Sequence, residues 1–392
     1  MLDLTIKEKC VGCTACESIC PKRCIEIKSD AEGFRYPEVC ITECIECNAC
    51  RKVCPVLKDT VMSNGLPVAY ASRTRDDTIR MESSSGGIFT ELAKKILSQK
   101  GAVYGAVYDE QFEIHHRCIE SMDDLYKLRG AKYAESCLGN SFGEILDRLN
   151  QGQEVLFSGT PCQVAGLKSF LKKDYENLFC IDFVCHGVPS PMAWKEYVKY
   201  RAKQDADGEM PIKINLRDKT TGWSNYRYSN LFQYKDGNKH SCLSSDSLYM
   251  KLFVEDYISR ESCSDCKFKG YNRVSDITLG DFWGIWDIAP EMDDNKGTSL
   301  MLIQSKKGRK MFENISDKIE SKEMSLEQAS QQNPSILKSS PANPKRQQVL
   351  DMIQEGRIGE LESMFQSTQI EKPSVLRRVL GRVKRLCTQK GK

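Results

Sequence analysis

Residues 10–21 read CVGCTACESICP and residues 44–55 read CIECNACRKVCP. Each segment is C-x2-C-x2-C-x3-C followed by proline. A loop with cysteines at that spacing curls around a cubane and offers thiolates to three of its irons. The cysteine before the proline leaves in the wrong direction for its own cluster and ligates the other one. The proline then ends the loop as a turn or extended segment. Cys10, Cys13, Cys16 and Cys54 are therefore expected around one [4Fe–4S] cluster, and Cys44, Cys47, Cys50 and Cys20 around a second. C-x2-C is also zinc spacing, but a zinc pair does not need a doubled triplet with a crossed fourth cysteine. IEIKS (25–29) and FRYPEV (34–39) read as short strands. Residues 1–60 are thus expected to form an α+β ferredoxin-like 2[4Fe–4S] module, a one-electron relay with no substrate of its own. Cys24 and Cys40 fall outside the pattern and read as buried small residues or spare thiols.

Working outward, the chain has 392 residues, a formal net charge of +3 and 19 cysteines, ten of them between Cys10 and Cys54. That length allows two or three domains. The near-neutral charge gives no global reason to expect nucleic acid. So many cysteines mean either a secreted disulfide scaffold or a reduced, metal-rich intracellular protein. The opening residues, MLDLTIKEKC, have neither the apolar core nor the cleavage site of a secretory signal. No stretch approaches the ~18 apolar residues of a membrane span. A cytoplasmic protein from a low-oxygen setting is expected, with thiols free to bind metal.

VMSNGLP (61–67) reads as a linker of turn residues. From Val68 to about residue 340 the pattern is mixed. VAYAS (68–72), GAVYGAVYD (101–109), VLFSG (155–159) and LFCIDFV (178–184) read as strands, and DITLGDFWGIW (276–286) opens as one. GIFTELAKKILSQ (87–99), VAGLKSFLK (164–172) and SLYMKLFVEDYI (247–258) read as helices. This alternation predicts an α/β domain with a mixed sheet over 68–340, followed by a helical polar extension over 341–392. His115 and His116 are adjacent on a strand and point to opposite faces.

A second cysteine set stands at suggestive places. Cys162 lies between a strand and a helix, Cys185 ends the next strand, and Cys263 and Cys266 form C-x2-C. Such elements can converge at one sheet edge, where four thiolates suit a third cubane or a zinc ion; scattered core cysteines are the bland alternative. SSSGGIFTELA (83–93) places serines and two glycines before an amphipathic helix. There, free N–H groups and the helix dipole make a phosphate site, or simply a Ser-capped turn. No G-x-G-x-x-G follows a strand, so there is no Rossmann fingerprint.

These segments, with RGAKYAES (129–136), SGTPCQVAGL (158–167), CHGVPSP (185–191) and CKFKGYNRVSDITLGDFWGI (266–285), resemble the coenzyme F420 hydrogenase/dehydrogenase beta-subunit family with a fused ferredoxin module. The resemblance runs from about Ala69 to about Arg346. It implies a non-Rossmann flavin domain and favours a third [4Fe–4S] cluster on Cys162, Cys185, Cys263 and Cys266, with Cys180 the competitor for Cys185. It further implies FAD, with Ser84, Ser85, Gly86 and Gly87 at the pyrophosphate and Lys132 near the flavin or its phosphates. Asp281, Phe282 and Trp283 read as pocket wall or core. His186 reads as a cluster hydrogen-bonder, a proton source or a structural histidine; no other catalytic residue is assigned. Asn272 and Arg273 match the family pattern without a role.

The segment KPSVLRRVLGRVKRLCTQKGK (372–392) carries eight Lys or Arg and no acid. Its apolar residues recur at helical spacing, which suits an anionic membrane surface, a solvated helix or a docking peptide. The expectation is a flavin-dependent iron–sulfur oxidoreductase. It would pass electrons between a ferredoxin-like carrier, [4Fe–4S] clusters, FAD and an organic substrate. The alternative is an electron-relay subunit of beta type serving a partner oxidoreductase, and a third reading is a cluster-bearing scaffold without flavin. No deazaflavin site is legible.

Overall fold

Alternate residues of the central strands are apolar on both sides, which requires a sheet covered on both faces. Val155 and Phe157 pack with Leu178 and Cys180 in one core, and Leu156 packs with Phe179 and Ile181 in another. The computed structural model describes residues 4–57 and 65–370. Its strands are β1 Ile25–Ser29, β2 Arg35–Val39, β3 Val68–Thr74, β4 Ala102–Tyr108, β5 Ile114–Ile119, β6 Val155–Ser158, β7 Leu178–Phe183, β8 Lys213–Asp218, β9 Ser229–Gln233, β10 Lys239–Leu243, β11 Ile277–Asp281, β12 Ser299–Ile303 and β13 Ile319–Met324.

Eight strands form the main sheet in the order β13-β3-β12-β11-β7-β6-β4-β5. The pairs β4·β6, β6·β7 and β7·β11 are parallel, and β12 lies antiparallel between β11 and β3. Hence β3, β4, β6, β7 and β11 share one direction and β5, β12 and β13 oppose it, giving the expected mixed sheet. Helix Ile88–Ser98 covers one face; helices Ser141–Asn150 and Pro161–Leu171 cover the other. Helix Pro161–Leu171 begins three residues earlier than its apolar periodicity suggests, because Thr160 and Gln163 form a capping box and Pro161 suits the first turn. The helix expected over 247–258 spans only Leu248–Val254, and Asp256 then adopts φ +61.

A second unit packs beside the sheet. The antiparallel strands β10-β9-β8 lie with helices Pro191–Ala206 and Leu248–Val254 around Trp194, Tyr197, Phe232 and Tyr249. Helices Arg346–Gln354 and Ile358–Ile370 bury Val349, Leu350, Ile353 and Leu361 in the same core. This part of the extension therefore belongs to the globular body. The basic segment 372–392 lies outside the described residues. Among the described residues no helix is long and apolar enough to cross a membrane.

The N-terminal module is a β1·β2 hairpin between two short helices, Ala15–Ser18 and Ala49–Val53. It is not a separate bead. Cys13, Ala15 and Val53 are buried in the same core as Val164, Leu167 and Phe170 of helix Pro161–Leu171. The backbone oxygen of Glu32 accepts from the Ser190 hydroxyl, and its carboxylate pairs with Arg346. Lys267 reaches the Val56 carbonyl at 3.2 Å.

Candidate redox centre

The shared direction of five strands brings their C-terminal ends to one edge, where open α/β sheets hold ligands. From that edge project the Ser83–Gly87 loop beyond β3, Cys162 beyond β6, Cys185 beyond β7, and Asp281 at the end of β11. Residues 132–137 return along the same edge, held by the His116 N–H to the Cys137 carbonyl.

The twelve cysteines expected as ligands, eight from spacing and four from the family resemblance, gather in three groups. Cys10, Cys13, Cys16 and Cys54 lie close together: Cys54 acts on the thiols of Cys10, Cys13 and Cys16, and Cys10 on those of Cys13 and Cys16. Cys54 thus stands with the first motif, as the crossed pattern requires. Cys20 stands with the second: it lines one cavity with Cys44, Cys47 and Cys50. Cys24, read as a buried small residue or a spare thiol, is buried and lines that cavity too, its Sγ 3.5 Å from that of Cys20. It immediately precedes β1, so the hairpin fixes it there. Cys40 is exposed, beside the Thr42 hydroxyl.

The third group is Cys162, Cys185, Cys263 and Cys266, which line one cavity with His186, Arg260, Lys269 and Arg273. Burial pushes the thiol of Cys185 up to about 11 and that of Cys263 up to about 12, while Lys269 and Arg260 oppose the rise. Three cations around four thiols are what a buried anionic thiolate set needs. Cys180 does not line that cavity: it lies within β7, fully buried, where Lys168 and Lys307 act on its thiol. His186 sits 3.2 Å from Asp256, near Ser340, and edge-on to Phe253.

The chain's spacing and its fold meet in one family. Residues 69–142 and 152–328 match the N-terminal and C-terminal regions of the coenzyme F420 hydrogenase/dehydrogenase beta subunit, and residues 9–57 match a 4Fe-4S dicluster domain. The chain belongs to the F420 hydrogenase/dehydrogenase beta-subunit family. Its members are iron–sulfur electron-transfer proteins related to oxidoreductases, and this member carries the dicluster domain fused at its N-terminus. No curated protein matches it. A chain in the xenon-derivatised F420-reducing [NiFe] hydrogenase complex from Methanosarcina barkeri is similar over 79% of this chain and 93% of its own, at 15% identity and a TM-score of 0.44.

In this member of the beta-subunit family the segment implied for a flavin borders a cationic strip. Gly87 takes φ +83 against Thr74, a conformation and a closeness that a side chain would strain. Gly86 faces inward: its N–H donates to the Ser299 hydroxyl at 2.9 Å, so it serves close packing and is not a free donor. The Ser85 carbonyl accepts from Lys219 at 2.6 Å, and the Ser84 carbonyl accepts from the Trp223 indole at 3.2 Å. Arg217 pairs with Asp281 at 2.9 Å and lies 3.9 Å over the Tyr228 ring. Its N–H also reaches the Tyr133 hydroxyl at 3.3 Å, and Lys132, next to Tyr133, stands over Tyr108. Trp283 stacks on Trp223, whereas Phe282 is core.

Four buried polar atoms on or near this strip have no partner among the described residues: Ser85 Oγ, Arg217 Nε, Arg129 Nε and the Tyr108 hydroxyl. Orphaned buried donors mark a place for a polar ligand. Lys132 and Lys219 beside them donate to backbone carbonyls and pair with no carboxylate among the described residues, which fits an anionic ligand, so the residues present suit a dinucleotide's phosphates. From this strip Tyr133 packs on Phe253 and Phe253 on His186, leading to the third thiol group. Sequence reading missed Arg217, Lys219, Arg260 and Tyr133, because nothing local distinguishes a buried cation from an exposed one; Arg217 and Lys219 in LRDKT carry no motif.

Two predictions arise here. Burial lowers the amines of Lys132 and Lys219 from 10.5 to about 7; at Lys219, Arg217 and Arg80 add to the fall while Asp281 and Asp294 oppose it. A folded-state lysine with depressed pKa binds its proton less tightly than the unfolded chain does. Its destabilising effect is fully present below about 7 and is relieved as pH rises toward the unfolded value. The melting temperature of the flavin-free protein should therefore rise between neutral and mildly alkaline pH, and Lys219→Met should flatten that slope. Separately, a Cβ at Gly166 would stand 2.7 Å from Cys13 Cβ and 2.9 Å from its Sγ. Gly166→Ala should therefore cost about 1–3 kcal/mol in anaerobic denaturant melts, through overpacking at the module interface.

Proposed function

We propose that this chain is an electron-relay protein of beta type. In this reading it conducts single electrons through three [4Fe–4S] clusters, between an outside carrier and a flavin at the sheet edge, in the service of a partner oxidoreductase. The observation that carries it is the gathering of twelve thiols into three groups of four, two in a module packed onto the domain that holds the third. Cys10, Cys13, Cys16 and Cys54 would hold one cluster, Cys20, Cys44, Cys47 and Cys50 a second, and Cys162, Cys185, Cys263 and Cys266 the third. The cationic lining of the last group supports iron–sulfur chemistry, whose clusters carry net negative charge.

FAD would supply the exchange between two-electron and one-electron chemistry. Ser84, Ser85 and Gly87 would present the pyrophosphate site at the start of helix Ile88–Ser98, with Lys132 and Lys219 holding protons at Nζ against its charge. Tyr133 and Phe253 would fill the space between that site and the third thiol group and exclude water from it. His186, paired with Asp256, would keep its ring orientation beside Cys185.

A second reading, a flavin enzyme with an organic substrate of its own, is favoured by one observation. Trp283, Trp286 and the half-exposed Tyr226 form an aromatic shelf next to Arg217, able to receive a planar molecule. Anaerobic purification with iron, sulfide and flavin counted per chain tests both. A full complement together with a stoichiometric partner is expected for the relay; turnover of a small molecule without any partner would move the assignment to the enzyme. A protein holding zinc in place of iron would remove both readings.

A further inference from the structure

We infer that electrons cross this chain in one fixed sequence. They pass from the Cys20–Cys44–Cys47–Cys50 group, through the Cys10–Cys13–Cys16–Cys54 group, to the Cys162–Cys185–Cys263–Cys266 group, or the reverse. Gly166 and Arg260 are the positioning residues of the inner step. This deepens the relay reading and rests on it.

The first pair of groups is ordered by burial. Every residue lining the Cys20–Cys44–Cys47–Cys50 cavity belongs to the N-terminal module; Cys47 is exposed, and so is Ile45, which lines the same cavity and is 57% exposed. Among the described residues, no side chain of the larger domain lines that cavity. By contrast Cys13 is buried in the larger domain's core. Single-electron transfer falls off exponentially with the distance between centres, so the exposed group faces carriers in solution and the buried group does not.

The second step has two built contacts. Gly166 brings the backbone of helix Pro161–Leu171 against Cys13, closer than any side chain would allow. Cys162 lies four residues earlier on the same helix, hence on the same face and about one 5.4 Å turn away. Independently, Arg260 spans the gap on the other side. Its Nε donates to the Cys10 carbonyl at 2.8 Å, and its guanidinium lines the cavity of the third group beside Cys263. Val11, next to Cys10, lines that cavity as well. Cys10 is therefore joined to the cavity of the third group through Arg260, and Cys13 packs on Gly166 one helical turn from Cys162. Each passage would move one electron between a one-electron protein carrier and the third site, oxidising the one and reducing the other by one electron, with no bond made or broken.

The test uses the full chain, reconstituted without oxygen. Cys44→Ala combined with Cys47→Ala removes the exposed cluster, checked by iron and sulfide counts. Reduced ferredoxin should then reduce the third site no faster than a carrier-free control, while dithionite, small enough to reach the inner group, still reduces it. Magnetic coupling between the inner and third clusters in the EPR spectrum should survive that loss. It should weaken in Arg260→Lys, which keeps the charge but loses the span, and in Gly166→Ala. Ferredoxin reducing the third site at the wild-type rate without the exposed cluster would overturn the sequence of steps while leaving the clusters standing. Iron missing from the wild-type protein would overturn the relay reading itself, and this with it.

Discussion

Replacing Cys162 and Cys263 together by serine is expected to remove about four irons per chain, the content of one cubane, and to stop electron passage between the module and the flavin edge. The two residues come from different elements, the start of helix Pro161–Leu171 and the turn Glu261–Cys263 that opens the C-x2-C, and they meet only because that helix and the sheet edge converge. Removing both leaves two thiols and three cations in the cavity, too few ligands for a cluster and an unbalanced positive charge. The ligands of the module are untouched, so its EPR signals should persist. Iron analysis and carrier-dependent reduction of the flavin proposed at the sheet edge measure the two halves of the result. Full iron and undiminished reduction in the double variant would eliminate the third site.

The second large effect concerns stability. Arg260 and Glu135 form an ion pair at 3.0 Å, with side chains only 2% and 6% exposed. Arg260 also donates to the carbonyls of Cys10 and Arg35 and lies 4.2 Å over the Tyr36 ring, while Glu135 accepts from the Arg35 N–H. The pair thus joins the two domains. Burial raises the carboxyl of Glu135, and Arg260 and Arg35 hold it down. Arg260→Met should cost about 3–5 kcal/mol by leaving Glu135 buried without its counter-charge. Adding Glu135→Gln should recover much of that loss, because the stranded charge goes with it. Anaerobic denaturant titrations of the two variants give the cycle. Equal stability of the single and double variants would mean that packing, and not charge, dominates.

The module was legible because ligand spacing is local: the repeat around Cys10 and Cys44 carries its geometry in the sequence, down to the exchange of Cys20 and Cys54. The strands were legible for a similar reason, since VLFSG and LFCIDFV are apolar runs that need two covered faces. The third thiol group was visible as four separate hints, and the family resemblance joined them; spacing alone left zinc and scattered core cysteines open. The cavity lining then separates Cys185 from Cys180, information no single segment contains. The cationic strip was illegible. Arg217 and Lys219 look like ordinary surface residues in LRDKT, and only the packing of β8 against the Ser83–Gly87 loop buries them. The same holds for Gly166, whose need for a bare backbone arises from Cys13, far away in the chain. Helix Leu248–Val254 was overextended because apolar periodicity continues through Tyr257 and Ile258, which pack from a turn instead.

The seating of the module on helix Pro161–Leu171, pinned by Arg346, Ser190 and Lys267, has a kinetic consequence. Many multidomain redox proteins carry a cofactor on a swinging arm that visits donor and acceptor in turn, and their throughput is set by how fast the arm travels. Here the arm is already docked. Throughput should then depend on collisions with the external carrier, and should respond to ionic strength and solvent viscosity at that encounter, while the passage inside the chain proceeds at the pace of a fixed wire.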